Sequence, residues 1–147
     1  MPWCGADSLS LSTRGPISPG QQPYITVELI FTNVSHQTCT LQGYPGVDLV
    51  GPDDPTLGPT YSVPRTSGDV QPVVLAPGAS ARSNLGFLPK LGPHGPESAW
   101  LPTTIVVTPP DSTTQLRTPW IPGGLTVLRQ GDGAQPGANI GPLYPDE

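Results

Sequence analysis

The sequence predicts an all-β domain, a sandwich or a barrel of about 7–10 short strands. Apolar segments are short and rich in β-branched and aromatic residues, and turn residues separate them. No window long enough for a helix of about ten residues shows capped helical periodicity. The chain has 147 residues with 22 Pro and 18 Gly, which interrupt every candidate helix. We expect one domain over residues 1–147, with a short N-terminal tail and a flexible C-terminal end.

The strongest strand patterns lie in the first quarter of the chain. Leu9 and Leu11 alternate with serines, which is typical of an edge strand. The longest candidate strand spans residues 24–34, and one of its faces is almost wholly apolar, so that face should point to the core. The other face carries Glu28 and is expected to be wetter. The core-facing set is Ile25, Val27, Leu29, Phe31 and Asn33.

Nine further segments combine β-forming residues with flanking turn residues. The segment 104–108 is continuously apolar, which predicts burial on both faces of that strand. The predicted strands are 38–42, 47–50, 61–63, 70–75, 79–87, 103–108, 115–120, 124–129 and 139–143.

Five Pro-Gly pairs punctuate the chain, at 19–20, 45–46, 77–78, 122–123 and 136–137. Proline presets φ at the second position of a turn and glycine accepts positive φ at the third, so each pair predicts a type II turn. Residues 51–60 and 92–97 lack periodicity and are predicted to be exposed loops. The Pro/Gly excess therefore indicates a turn-dense β domain.

Charge and hydropathy exclude two classes of partner. Acidic residues outnumber basic ones 11 to 6, and Lys90 is the sole lysine. Without an arginine cluster, nucleic acid is not an expected partner. No apolar run approaches the length of a membrane span, so we expect no transmembrane segment in this chain.

The two cysteines, Cys4 and Cys39, allow one intramolecular pairing. A bond between them would close a loop of roughly 36 residues and contribute about 3–4 kcal/mol. It would also place the protein outside the cytoplasm, whereas two reduced thiols would not.

The residues for catalysis or metal binding are sparse. The segment around Ser80 lacks the second glycine of a nucleophile elbow, and the two histidines, His36 and His94, lie in polar loops. His36 and Cys39 give at most two zinc ligands. A calcium site built from Asp48 with the Asp53–Asp54 pair is a weaker alternative to solvated turn acids. We therefore predict no enzyme activity, no cofactor and no metal.

Aromatic residues are the remaining recognition candidates. Exposed aromatic rings could serve as a stacking platform, and the candidates are Trp3, Trp100 and Trp120, with Tyr24, Tyr44, Tyr61 and Tyr144. Of these we select Trp100, Trp120 and Tyr61. Because Trp100 and Trp120 border predicted strands, core packing is the favoured interpretation of both. The acidic pair Asp53 and Asp54 is included as a recognition candidate because it lies in a predicted loop.

Two motifs resemble a known family. The first runs from Thr32-Asn33 to Cys39-x-Leu-x-Gly-Tyr-Pro-Gly46, and the second is Leu75-x-Pro-Gly-x-Ser-Ala81. Together they resemble the domain-of-unknown-function 4232 family of secreted proteins and lipoproteins, mostly from actinobacteria. The resemblance implies an immunoglobulin-like antiparallel β-sandwich in the cell envelope with the first two cysteines paired, and it implies no catalytic residues. Many such domains have a second cysteine pair, which this chain lacks.

The functional prediction is a non-enzymatic secreted or cell-envelope β-sandwich that acts as a protein-interaction or surface module. Its recognition loops would be 51–60 and 88–100. The alternative is a carbohydrate-binding module that uses exposed aromatic residues. The expected partner is accordingly an envelope protein or a cell-wall glycan.

Overall fold

The computed structural model describes most of the chain, in ten stretches. These are residues 3–17, 25–54, 58–66, 68, 70–87, 99–100, 102–110, 114–120, 127–128 and 138–146. The strands are β1 (Leu9–Ile17), β2 (Ile25–Asn33), β3 (Cys39–Leu41), β4 (Gly46–Asp54), β5 (Gly58–Ser62), β6 (Val73–Leu75), β7 (Ser80–Phe87), β8 (Ala99–Trp100), β9 (Thr104–Thr108), β10 (Leu116–Pro119), β11 (Val127–Leu128), β12 (Ala138–Ile140) and β13 (Tyr144–Pro145). A short 3-10 helix, Ala6–Ser8, precedes β1.

The all-β prediction is confirmed, and all strand pairs are antiparallel. The larger sheet has the order β1-β2-β7-β12, with β13 also paired to β7. A second sheet has the order β10-β9-β4-β5, and two small sheets pair β11 with β8 and β3 with β6. No helix among the described residues is long and apolar enough to cross a membrane.

Both larger sheets contribute to one hydrophobic core. The core face predicted for residues 24–34 is confirmed, because Val27, Leu29 and Phe31 are fully buried. The opposite face is drier than predicted, since Glu28 and Ile30 are also buried. The continuous burial predicted for 104–108 is also confirmed at Ile105 and at the two valines that follow it. Two sheets that share one core are what a β-sandwich requires. The immunoglobulin-like strand arrangement stays a prediction.

Residues 51–60 differ from the exposed loop predicted for them. The strand β4 continues to Asp54, and β5 begins at Gly58. Pro52 lies where the register of the β4–β5 ladder shifts, between Val50 and Asp54, and Pro59 lies on the edge strand β5. Proline is tolerated at bulges and on edge strands, although it lacks an N–H group for the ladder. The predicted loop 92–97 lies outside the described residues.

The Pro-Gly turns have mixed outcomes. At 77–78 the type II turn is confirmed, since Gly78 has a φ of 87° and Ala79 N donates to Ala76 O at 2.9 Å. At 45–46 the prediction is wrong: Gly46 opens β4, and the positive φ of 115° falls on Gly43 instead. The other three pairs lie outside the described residues.

Residues near both ends of the described chain are attached to sheets, and the expected N-terminal tail and flexible C-terminal end stay predictions. Trp3 forms a parallel bridge with Thr40. At the other end, Tyr144 pairs with Arg82 of β7, and Asp146 N donates to Ser80 O at 3.1 Å.

Candidate recognition surface

The N-terminal segment is fixed against β3 by a covalent bond and a hydrogen bond. The predicted disulfide between Cys4 and Cys39 is present, and both cysteines are buried. Cys4 N donates to Thr40 O at 3.0 Å, and Trp3 bridges to the same threonine. Trp3 therefore extends the small sheet by one paired position beside β3.

Three neighbouring positions face outward in one row. Thr40 pairs with Trp3 on one side and with Val74 of β6 on the other. Side chains at paired positions lie on the same face of a sheet. Trp3 is 51% exposed and Val74 is 56% exposed, while Thr40 between them is half-buried. We call Trp3, Thr40 and Val74 the Trp3 surface.

The opposite face of this small sheet anchors the row to the core. Leu41, Val73 and Leu75 alternate with the outward residues and are buried. Because this alternation and the disulfide act together, the Trp3 surface stands on a rigid support.

Asn33 joins the support to β2. Its Nδ2 donates to Leu75 O at 2.9 Å and to Gln37 O at 2.8 Å, while its Oδ1 accepts bonds from Ser35 N and Ser35 Oγ. Its backbone oxygen accepts from Gly78 N at 2.8 Å. Asn33 is 1% exposed, so the Asn-x-Ser sequence at 33–35 serves packing in the folded protein and its amide is not accessible for glycosylation.

The segments that build this surface carry few charges. Residues 34–47 and 70–81 contain no Asp, Glu, Lys or Arg, although 12% of the chain is charged. The nearest charge along the N-terminal segment is Asp7, an exposed residue whose Oδ1 lies 3.0 Å from where a β-carbon on Gly5 would stand. The segments on which Thr40 and Val74 lie are thus uncharged.

A cluster of charged side chains lies on the outer face of the larger sheet. Arg14 donates to both carboxylate oxygens of Glu28, at 2.8 and 3.1 Å, and to Asp146 at 2.9 Å. Arg82 donates to Glu28 at 2.9 Å and stacks over the ring of Tyr144. Hydrogen bonds from Arg14 hold the pKa of Glu28 and that of Asp146 below their usual values, against the opposing effect of burial. Two arginines thus meet two carboxylates, and the cluster fastens the C-terminal strand to the sheet.

The sequence-predicted recognition residues do not come together among the described side chains. Trp120 is 8% exposed and packs edge-on against Phe87, with ring centroids 5.1 Å apart. Its ring face is therefore not available as a stacking platform, and the core interpretation of Trp120 is correct. Tyr61 is half-buried on β5 and packs against the core.

The remaining candidates are placed by their backbones. Trp100 pairs with Val127 between β8 and β11, while Asp53 and Asp54 lie at the end of β4. Their side chains are outside the described part, as is most of the predicted loop 88–100. Within the described residues, no group of three or more potential metal-ligating side chains occurs.

Trp3 was one of the aromatic candidates that the sequence offered, whereas Val74 was not selected for recognition. Trp3 precedes Cys4, so a disulfide that buries Cys4 turns its neighbour outward by strand alternation. That signal was present in the sequence. The sequence did not reveal which residues of β3 and β6 lie beside Trp3, because that depends on the register between the strands.

The fold and the motifs define an all-β domain with one disulfide and an exposed row that contains one tryptophan. The family described as "Domain of unknown function (DUF4232)" matches residues 4–141, and the chain belongs to this family. No curated protein and no solved structure is significantly similar to the chain.

Proposed function

We propose that the protein is a non-enzymatic domain of the cell exterior that recognises a component of the cell envelope through the Trp3 surface. The observation that carries the proposal is the half-exposed indole of Trp3, fixed beside a disulfide and aligned with an exposed Val74. As a surface module it would act by adhesion rather than by chemistry.

An exposed tryptophan on a rigid support favours recognition over a purely structural role. Tryptophan is enriched at binding hot spots because its large, rigid ring loses little conformational entropy when it is covered. Among the described residues, the other exposed large apolar side chains are the valines Val34, Val70 and Val74. Trp3 is thus the described side chain best suited to anchor a partner.

The buried disulfide supports a location outside the cytoplasm, because structural disulfides persist in oxidising compartments. We propose a secreted or lipid-anchored precursor, as the family resemblance implies, in an actinobacterial envelope.

Among the described residues, the nucleophile candidate Ser80 has no hydrogen bond to a histidine, and His94 lies outside them. Ser80 Oγ lies 2.8 Å from Thr32 Oγ1, and His36 is exposed in the turn after β2. A Ser–His pair for nucleophilic catalysis requires hydrogen-bond reach between the two side chains. This arrangement supports the non-enzymatic role.

The test is co-sedimentation of the purified protein with envelope fractions of the producing organism. We expect Trp3→Ala to weaken retention at least about tenfold, the loss typical of a hot-spot aromatic. The matched control is Arg117→Ala, which removes an exposed side chain from β10 in the other large sheet. Equal retention of both variants and the wild type would contradict the proposal.

A further inference from the structure

We infer that the Trp3 surface binds an uncharged glycan, an inference that rests on the proposed recognition function and names its ligand class. The face of an indole is flat and apolar, and a pyranose ring presents a face of C–H groups to it. Thr40 adds a hydroxyl and Val74 an apolar contact beside the indole.

Residues that flank the Trp3 surface at the ends of β3 and β6 add further polar and apolar groups to it. Thr38 and Gln42 flank β3, and each lies two positions from Thr40 on the same face. Thr38 is half-buried and Gln42 is exposed. The corresponding positions around Val74 are Pro72 and Ala76, both exposed. An amide and hydroxyls beside apolar surface can bond sugar hydroxyls while an aromatic ring covers the sugar face.

Charge decides which glycan fits. The segments 34–47 and 70–81 offer no Lys or Arg to pair with the carboxylate or phosphate of an acidic polysaccharide, and the net charge of −5 opposes such a ligand. A neutral sugar meets no such repulsion.

The size of the row favours a glycan over a folded protein. Adjacent strands lie about 4.8 Å apart, so Trp3 to Val74 spans about 10 Å. A specific protein interface typically covers about 800 Å² on each partner with 20–30 residues. Even with the four flanking positions, the row has far fewer residues than such an interface and is closer to the footprint of a few sugar units.

The direct test is calorimetric titration with cellohexaose, chitohexaose, mannohexaose and neutral arabinogalactan, against polygalacturonate as the acidic comparison. We expect at least one neutral glycan to bind, Trp3→Ala to weaken it at least about tenfold, and Trp3→Phe to retain most of the affinity because a flat ring remains. Arg117→Ala should bind as the wild type does. Failure of all four neutral glycans, tighter binding of polygalacturonate, or binding that Trp3→Ala leaves intact would overturn the inference.

A second experiment separates this inference from the proposed function. Envelope fractions are treated before co-sedimentation either with a broad-specificity protease or with sugar-degrading reagents. The latter are periodate, which cleaves vicinal diols of sugars, together with chitinase and lysozyme, which hydrolyse 1,4-linked amino-sugar chains that lack such diols. We expect the sugar-degrading treatment to abolish the Trp3-dependent retention and protease to leave it. The reverse result would identify a protein partner and overturn the glycan while preserving the recognition function; retention that never depends on Trp3 would overturn both.

Discussion

The side-chain amide of Asn33 donates to the backbone oxygen of Leu75 at 2.9 Å, which ties the end of β2 to the end of β6. The same side chain orders the turn at 34–37 through its bonds to Gln37 and Ser35. Since β6 carries Val74, Asn33 connects the larger sheet to the base of the Trp3 surface. The position of Asn33 in the first family motif thereby acquires a physical reason.

Replacing Asn33 by alanine should lower the free energy of unfolding by about 2–4 kcal/mol. The change leaves buried backbone groups without partners and removes several side-chain hydrogen bonds together. Chemical denaturation measures the loss. The control is Gln37→Ala, whose backbone oxygen still accepts a bond and whose side chain is exposed, with an expected change of about 0.5 kcal/mol or less. Similar stability of the two variants would contradict this role.

The disulfide should be a major stabilising bond. The double variant Cys4→Ala, Cys39→Ala opens a loop with a sequence separation of 35 and is expected to lose about 3–4 kcal/mol. Wild-type protein unfolded under reducing conditions should match the double variant. A loss below about 1 kcal/mol would show that the segment from Trp3 to Ser8 is held by its other contacts.

Two glycines that follow proline should respond differently to alanine. Gly78→Ala is expected to cost about 1–2 kcal/mol, since a β-carbon there meets no heavy atom within 4 Å but φ is 87°. Gly46→Ala should change stability by less than about 1 kcal/mol, because φ is not positive and the nearest contact would be an ordinary 3.6 Å to Thr108. Thermal unfolding compares the pair, and a larger loss at Gly46 would refute the turn assignment.

Glu28 should make stability dependent on pH. Its ordinary pKa of 4.5 is lowered by hydrogen bonds from Arg14, so its contribution is present above that value and disappears as pH falls through the lower folded-state pKa. Glu28→Gln should therefore lose about 1–2 kcal/mol at pH 7 and approach the wild type in strong acid. Denaturant unfolding across this range provides the measurement. A difference that is constant with pH would mean that the loss comes from packing rather than from charge.

Much of the fold was predictable because it depends on local patterns. Alternation defined the core face of β2, and one continuous apolar segment defined β9. The same reasoning failed at residues 51–60, where prolines suit the irregular part of the β4–β5 ladder and the edge strand β5. Whether a proline is tolerated there depends on which neighbour pairs with it, and that is decided by sheet order.

The recognition surface was less predictable for the same reason. The exposure of a tryptophan depends on its partner strands: Trp120 turns toward Phe87 in the core, while Trp3 turns outward beside Thr40. Glu28 shows the converse case, because a charge on the predicted wetter face is buried by Arg14 and Arg82 from the adjacent strands. Pairing across strands, rather than composition, separates these outcomes.

The most direct test of recognition through the Trp3 surface is amide chemical-shift mapping of the labelled protein during titration with solubilised envelope glycan. The account predicts that the largest shifts cluster at Trp3, Thr40 and Val74, together with the indole N–H of Trp3, and that Trp3→Ala abolishes them. Shifts that centre on β10 or on the Arg14–Glu28 cluster, or that persist in Trp3→Ala, would contradict it.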